Sequence, residues 1–145
     1  MTLRARGIGA ALTEVGPAVL YVVAIFVGGS LSGGETYVPL TDKQLHAIAF
    51  GAMVPLLVRA VGFVRPAFSL PVRLVVSAGL SSALGALLEI WQAILPHRDA
   101  DVFDWVADTI GAVVAVVMLG TLALLFGVIG ATNEDGPNKP WDRSP

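Results

Sequence analysis

The chain has no cysteine, and only 14% of its 145 residues are charged. The absence of thiols excludes disulfide bonds, thiolate nucleophiles, and iron–sulfur or cysteine-ligated zinc sites. Basic residues are also scarce, since 9 Lys and Arg stand against 11 Asp and Glu, for a formal net charge of −2. Because nucleic acids are bound through clustered positive charge, this composition argues against a nucleic-acid partner.

What the chain has in excess is apolar sequence. Apolar residues make up 55% of it, and its mean hydropathy of +0.77 is unlike that of a soluble domain. A helix needs roughly 20 residues to cross the hydrocarbon core of a bilayer, and backbone groups in lipid must bond within their own segment. Four segments are long enough: residues 15–34, 41–64, 72–95 and 103–129.

The sequence therefore predicts an all-α integral membrane bundle of four transmembrane helices. These helices form one domain, residues 1–131, and a polar cytoplasmic tail follows at 132–145. Pro17 and Pro71 suit the first turns of the first and third helices. Thr41 and Gln44 have the spacing of a capping box at the start of the second helix. Pro55 lies inside that helix and is expected to kink it, unless neighbouring groups satisfy the freed carbonyl.

Lys and Arg are distributed unequally between the two ends of the predicted helices. One side carries seven of the nine: Arg4, Arg6, Arg59, Arg65, Arg73, Lys139 and Arg143. The positive-inside rule then predicts that both termini are cytoplasmic, in a multi-pass protein of the bacterial cytoplasmic membrane. A cleaved signal peptide is the alternative for the N-terminus, although the apolar run is long for one and Glu14 lies close to it.

Polar residues concentrate at the opposite, outer side. They are Asp42, Lys43 and His46 in the second helix, Glu89 and Gln92 in the third, Arg98 and Asp101 in the following loop, and Asp104 and Asp108 in the fourth. At about 1.5 Å per residue, Glu89 and Asp108 both lie about 10 Å below that loop. A charge at this depth costs roughly 2.5–3.5 kcal/mol. We therefore expect these side chains to face one another, in an outward-facing polar site between the last three helices.

Two patterns in this set resemble those of the VanZ-like membrane proteins. One is Asp42-Lys43-x-x-His46, and the other is Glu89-x-x-Gln92 followed by Arg98, Asp101, Asp104, position 108 and Gly111. The resemblance covers about residues 40–120. Asp108 stands where the family pattern has Asn, and Ala115 stands where a further Gly is expected. The family is named for a protein of teicoplanin resistance, so the resemblance implies a cell-envelope membrane protein and a link to glycopeptide antibiotic resistance.

The residue types support several chemistries. In the leading interpretation the site binds a lipid head group or cell-wall precursor: Arg98 and Lys43 pair with a phosphate or carboxylate, and Glu89, Gln92 and Asp104 orient hydroxyls and amides. The runner-up is a membrane-embedded hydrolase or transferase. Its candidate catalytic residues are His46, Glu89 and Asp104, acting on water because no Ser or Cys stands in a recognisable catalytic motif.

Three further interpretations stay open. His46, Glu89, Asp104 and Asp108 are candidate ligands of a divalent metal ion, with donors suited to Mg, Mn or Ca. Alternatively the cluster is a structural network, in which Arg98 pairs with Asp101 or Asp104 and a protonated Glu89 donates to Gln92 or His46. Finally, the apolar surface permits a role as an accessory subunit of a larger membrane complex.

Overall fold

The computed structural model describes residues 7–31 and 40–127, and every regular element in these ranges is a helix. The helices are α1 (Ile8–Glu14), α2 (Gly16–Ser30), α3 (Asp42–Val64), α4 (Leu70–Ala93) and α5 (Val102–Leu125). Three of them, α3, α4 and α5, are long and apolar enough to cross a membrane, and α1 with α2 adds a fourth if that bent pair is one span. The predicted tail at 132–145 lies outside the described residues.

The first predicted helix differs most from the structure. Helical backbone begins at Ile8, and the chain bends by 49° between α1 and α2. Pro17 occupies the first turn of α2 as expected, and because it has no N–H, the hydrogen-bond ladder between α1 and α2 is interrupted there. The helix also ends earlier than residue 34, at Ser30, after Gly28 and Gly29. Both glycines weaken helical structure because they lose more backbone entropy than other residues.

The other boundaries lie close to their predicted positions. At the start of α3 the capping box is confirmed: Gln44 N donates to Thr41 Oγ1 at 3.3 Å, and Thr41 N donates to Gln44 Oε1 at 2.9 Å. The helix continues through Pro55 to Val64. α5 stops at Leu125 rather than at residue 129, because Gly127 adopts a left-handed conformation with φ +68° that ends the helix.

α3 lies at the centre of the bundle and packs against α2, α4 and α5. Glycines allow α3 and α5 to cross in backbone contact: a Cβ on Gly111 would overlap the backbone carbonyl of Ala47, and a Cβ on Gly51 would lie 3.0 Å from the Gly111 oxygen. Such close crossings of small residues are typical of helix pairs in membranes. This contact fixes the register of α3 against α5 near their polar ends.

Apolar side chains occur both inside and outside the bundle. Phe50, Met53 and Leu88 are buried in the core. On the outer surface of α5, Val117 and Leu124 are more than half exposed. An apolar outer surface of this kind is what lipid contact requires, so the described helices form a multi-pass membrane bundle.

Candidate functional site

The predicted polar residues converge at one end of the bundle, where α3 and α5 begin and α4 ends. Four of them are buried: Glu89, Gln92, Asp104 and Asp108. Asp42 and Lys43 are exposed at the mouth, while His46 and Arg98 are partly buried. The sequence predicted that these side chains lie at the same side of the bundle, as they do here.

Lys43 joins α3 to the start of α5. Its Nζ lies 2.7 Å from Asp101 Oδ2 and 2.9 Å from Asp104 Oδ1. Asp101 also caps α5 by accepting a hydrogen bond from Phe103 N at 2.8 Å. The ion pair with Lys43, and then this cap, hold the pKa of Asp101 below its usual range.

Arg98 does not make the ion pair that the structural-network interpretation assigned to it. Its Nε donates to the backbone oxygen of Gly29 at 3.0 Å, and Gln92 Nε2 donates to the same oxygen at 3.1 Å. The reason is that the last carbonyls of a helix have no partner within the helix, and α2 presents its C-terminal end to these two donors. Lys43, rather than Arg98, forms the ion pairs with Asp101 and Asp104.

His46 and Asp108 form a pair deeper between α3 and α5. His46 Nδ1 lies 3.0 Å from Asp108 Oδ1, and the imidazole ring stacks on Phe50 with centroids 6.4 Å apart. Asp108 has no exposed surface. Gly85 of α4 packs directly on this carboxylate, because a Cβ at that position would lie 2.5 Å from Asp108 Oδ2. The backbone of α4 thus closes the third side of the pair.

Glu89 lies beside this pair on α4. Its Oε2 accepts a hydrogen bond from the backbone N–H of Asp101 at 2.8 Å. The bonds to Gln92 or His46 that the network interpretation expected are not formed, because Gln92 turns to Gly29 and His46 turns to Asp108. Within the described residues, Glu89 Oε1 and Asp108 Oδ2 are buried without a hydrogen-bond partner.

Two trios of side chains bring their donor atoms close enough to hold a metal ion. One trio is Asp42, His46 and Asp104, and the other is His46, Glu89 and Asp108; within each, one donor atom per residue lies within 4.8 Å of the others. The second trio is much the less exposed. All four metal candidates from the sequence therefore belong to one trio or the other.

A cavity of about 240 Å³ opens beside the cluster, between α2, α3 and α4. Its polar lining is Asp42, His46, Gln92 and Arg98, and its apolar lining is Ile25, Leu45, Ala49, Phe50 and Leu88, with Gly28 and Gly29 at one edge. Lys43, Glu89, Asp101, Asp104 and Asp108 do not line it. The predicted site therefore has two parts, a cavity toward α2 and a carboxylate cluster between α3, α4 and α5.

The contribution of α2 was missing from the sequence prediction. No charged residue lies in α2, and its role depends on the backbone oxygen of Gly29 and the hydroxyl of Ser30, which accepts a hydrogen bond from Trp91 Nε1 at 2.8 Å. Backbone acceptors leave little trace in a sequence. The pair Gly28-Gly29 was the available signal, because glycines near a helix end leave carbonyls accessible.

The family model described as VanZ/LLP1 matches residues 14–126. The chain belongs to the VanZ/LLP1 family. The match extends from the end of α1 to the end of α5 and includes every residue of the site, so the resemblance seen in the sequence is confirmed. Comparison with curated proteins and with solved structures gave no match.

Proposed function

We propose that this VanZ-family protein binds the phosphate-bearing head group of a cell-envelope lipid or lipid-linked cell-wall precursor in the cavity between α2, α3 and α4. One observation supports this above the others. The cavity combines a cationic side chain, Arg98, with an apolar wall that includes Ile25 and Leu88. A ligand that is anionic at one end and apolar at the other matches both surfaces.

Arg98 is the anchor for the anionic group. Its Nε is held by Gly29, and the two terminal nitrogens of the guanidinium have no protein acceptor within the described residues. A guanidinium fixed at one nitrogen presents its remaining donors in a constant orientation, which suits bidentate binding of phosphate. Asp42 on the same wall accepts hydrogen bonds from hydroxyl or amino groups of the head group.

The volume of the cavity limits how much of a lipid it can hold. Pockets for drug-sized ligands are about 300–1,000 Å³, and this one is about 240 Å³. The cavity therefore accommodates a head group and the first carbons of a chain, while the rest of the lipid lies along the outer surface of the bundle. This arrangement needs the cavity to be near the bilayer surface, as the position of Arg98 after the end of α4 provides.

In the proposed topology α1 and α2 form one bent span, the bundle has four spans, both termini are cytoplasmic and the site faces outward in the bacterial cytoplasmic membrane. The support is the charge at the other end of the bundle. Arg59 and Arg65 lie at the end of α3, and Arg73 lies at the start of α4. Three arginines opposite the site favour a cytoplasmic location for that end.

Titration of the detergent-purified protein with a polyprenyl phosphate tests the binding proposal. Charge-assisted hydrogen bonds contribute about 1.5–3 kcal/mol, so Arg98→Gln should weaken binding about 10-fold to 150-fold. The matched control is Arg59→Gln, which removes an arginine from the far end and should bind like the wild type. Equal affinity in all three proteins would exclude Arg98 as the anchor.

Glycopeptide antibiotics act on cell-wall precursors, and a lipid-linked cell-wall precursor is one of the ligands proposed for this cavity. We propose that occupancy of this site gives modest protection against teicoplanin in a host that expresses the protein. The minimal inhibitory concentration should rise with the wild type and stay at the vector level with Arg98→Gln. An equal rise with both proteins would separate resistance from this cavity.

A second candidate function is hydrolysis or transfer of the bound lipid. The observation that favours it is the pair of His46 and the buried Asp108, because a carboxylate that orients an imidazole on a cavity wall is the arrangement of a general base. Incubation with a polyprenyl diphosphate should then release inorganic phosphate, and His46→Gln should abolish the release. Binding without turnover by the wild type would exclude this function.

A further inference from the structure

We propose that His46, Glu89 and Asp108 form a binding site for one divalent cation between α3, α4 and α5. The site is separate from the head-group cavity, except that His46 takes part in both. The proposal goes beyond the lipid ligand and does not depend on it, because it rests on the carboxylate cluster alone.

Two buried oxygens without partners point to a bound cation. Within the described residues, only three buried side-chain polar atoms lack a hydrogen bond, and two of them are Glu89 Oε1 and Asp108 Oδ2. Their side chains are 8% and 0% exposed, respectively, as whole residues. Burial of a carboxylate oxygen without a hydrogen-bond donor is unfavourable, because its lost hydration is not compensated. A cation between the two residues satisfies both oxygens at once.

The distances suit a metal ion. One donor atom from each of the three residues lies within 4.8 Å of the others. An ion bound at about 2.1 Å places neighbouring ligands at right angles about 3.0 Å apart. His46 Nδ1 and Asp108 Oδ1 are 3.0 Å apart, so these two side chains already have the separation of neighbouring ligands of one ion.

The local charge supports the same conclusion. The carboxylate cluster between α3, α4 and α5 contains Glu89, Asp101, Asp104 and Asp108 with Lys43 and His46, whereas Asp42 and Arg98 line the cavity. Lys43 is bound to Asp101 and Asp104, which leaves Glu89 and Asp108 with His46. A divalent cation balances the two remaining carboxylates while His46 stays neutral, and a neutral complex is the least costly arrangement at this depth.

The other trio is the weaker candidate for the same ion. Asp42 is exposed to solvent, and Asp104 already pairs with Lys43 at 2.9 Å. A cation there would compete with the lysine for the same carboxylate. The oxygens without partners also belong to the deeper trio, so Glu89 and Asp108 are assigned as ligands and Asp42 is not.

Two carboxylates and one imidazole favour Mn²⁺ as the probe. Carboxylates suit Mg²⁺, Ca²⁺ and Mn²⁺, whereas imidazole suits the transition metals, and Mn²⁺ accepts both donors. After removal of metals with a chelator, we expect the detergent-purified protein to bind one Mn²⁺ per chain, measured from the loss of the free-ion electron paramagnetic resonance signal. The affinity should fall as the pH falls, because protonation of His46 competes with the metal.

Matched variants assign the ion to the deeper trio. Glu89→Gln and Asp108→Asn should each weaken Mn²⁺ binding at least 10-fold, and Asp42→Asn should bind like the wild type. Saturating Mn²⁺ should raise the melting temperature of the wild type and of Asp42→Asn but not that of the other two variants. The proposal is overturned if the wild type binds no stoichiometric ion, or if Asp42→Asn loses it while Glu89→Gln keeps it.

Loss of Mn²⁺ binding in a carboxylate variant could also result from misfolding. A spectroscopic measurement on the wild type identifies the ligand without these variants. The chain has 2 histidines, His46 and His97, and only His46 belongs to the trio. Electron spin-echo modulation of Mn²⁺ bound to the wild type should show coupling to one imidazole nitrogen, and His97→Gln should show the same coupling. A spectrum without nitrogen coupling, or a coupling that disappears in His97→Gln, would contradict the assignment.

Discussion

At the residue scale, the site depends on small residues as much as on charged ones. Asp108 is fully buried because Gly85 lets the backbone of α4 lie against its carboxylate. The sequence predicted that Glu89, Gln92, Asp104 and Asp108 lie near one another, because polar side chains at that depth must avoid lipid. It did not predict which basic side chain pairs with which carboxylate. That choice depends on the ends of long side chains such as Arg98, which have several possible partners within reach.

Gly85 should therefore be intolerant of a side chain. We expect Gly85→Ala to destabilise the protein by about 1–3 kcal/mol, because overpacking displaces the Asp108 carboxylate from His46. Thermal unfolding in detergent, followed by circular dichroism, measures the effect. The control is Gly79→Ala on the same helix, where a Cβ meets nothing within 4 Å. Similar melting temperatures for the two variants would show that the packing at Gly85 is unimportant.

Asp101 supplies a prediction for acid stability. Because Lys43 and the N–H of Phe103 lower the pKa of Asp101, its stabilising contribution is complete at neutral pH. That contribution is lost as the pH falls below the ordinary aspartate value of about 3.9 and through the lower value of the folded protein. The melting temperature of Asp101→Asn should thus be lower than that of the wild type at pH 7, and the difference should shrink as the pH falls below about 3.9. A difference that stays constant with pH would contradict the role of the Lys43 pair.

At the element scale, the register of α3 against α5 decides whether the site forms. Lys43 and His46 on α3 meet Asp104 and Asp108 on α5 only because the two helices cross in contact at Ala47 and Gly111. The capping box of α3 and the position of Pro71 in the first turn of α4 were readable from local sequence, because these features involve neighbours in the chain. The 49° bend between α1 and α2 was not predicted, because the predicted helix began at residue 15 and α1 precedes it.

A substitution at the crossing point tests this dependence. Gly111→Ala should push α5 away from α3 and destabilise the protein by about 2 kcal/mol or more, since the new methyl group would overlap the Ala47 backbone. Gly120→Ala on the same helix is the control, because its Cβ would meet only Leu74 Cδ1 at 3.9 Å. Thermal unfolding of both variants gives the comparison. A stable Gly111→Ala protein that retains ligand binding would rule out the close crossing.

At the scale of the whole molecule, the two ends of the bundle differ in charge. The acidic cluster and the cavity lie at one end of the bundle, and the arginines after α3 lie at the other. Hydropathy predicted the place of the three long apolar helices α3, α4 and α5, because length and composition alone decide whether a helix fits a bilayer. The contact of Arg98 and Gln92 with α2 was not predictable, because their acceptor is the backbone oxygen of Gly29 rather than a charged side chain.

The natural absence of cysteine allows a direct test of the orientation. Single substitutions Asp99→Cys and Ser69→Cys place one thiol in each of the two turns that flank α4. A maleimide that cannot cross membranes should label Asp99→Cys on intact bacterial cells and Ser69→Cys only after permeabilisation. The reverse pattern would place the site on the cytoplasmic side and exclude outer-leaflet ligands.

In the proposed function, Arg98 holds a phosphate-bearing envelope lipid in the cavity. Native mass spectrometry of the protein extracted from membranes tests it most directly, with Arg98→Gln and Arg59→Gln prepared in parallel. We predict that the wild type and Arg59→Gln retain the same phosphate-bearing lipid and that folded Arg98→Gln has lost it. Three folded proteins that are all free of lipid, or that all carry the same lipid, would contradict the claim.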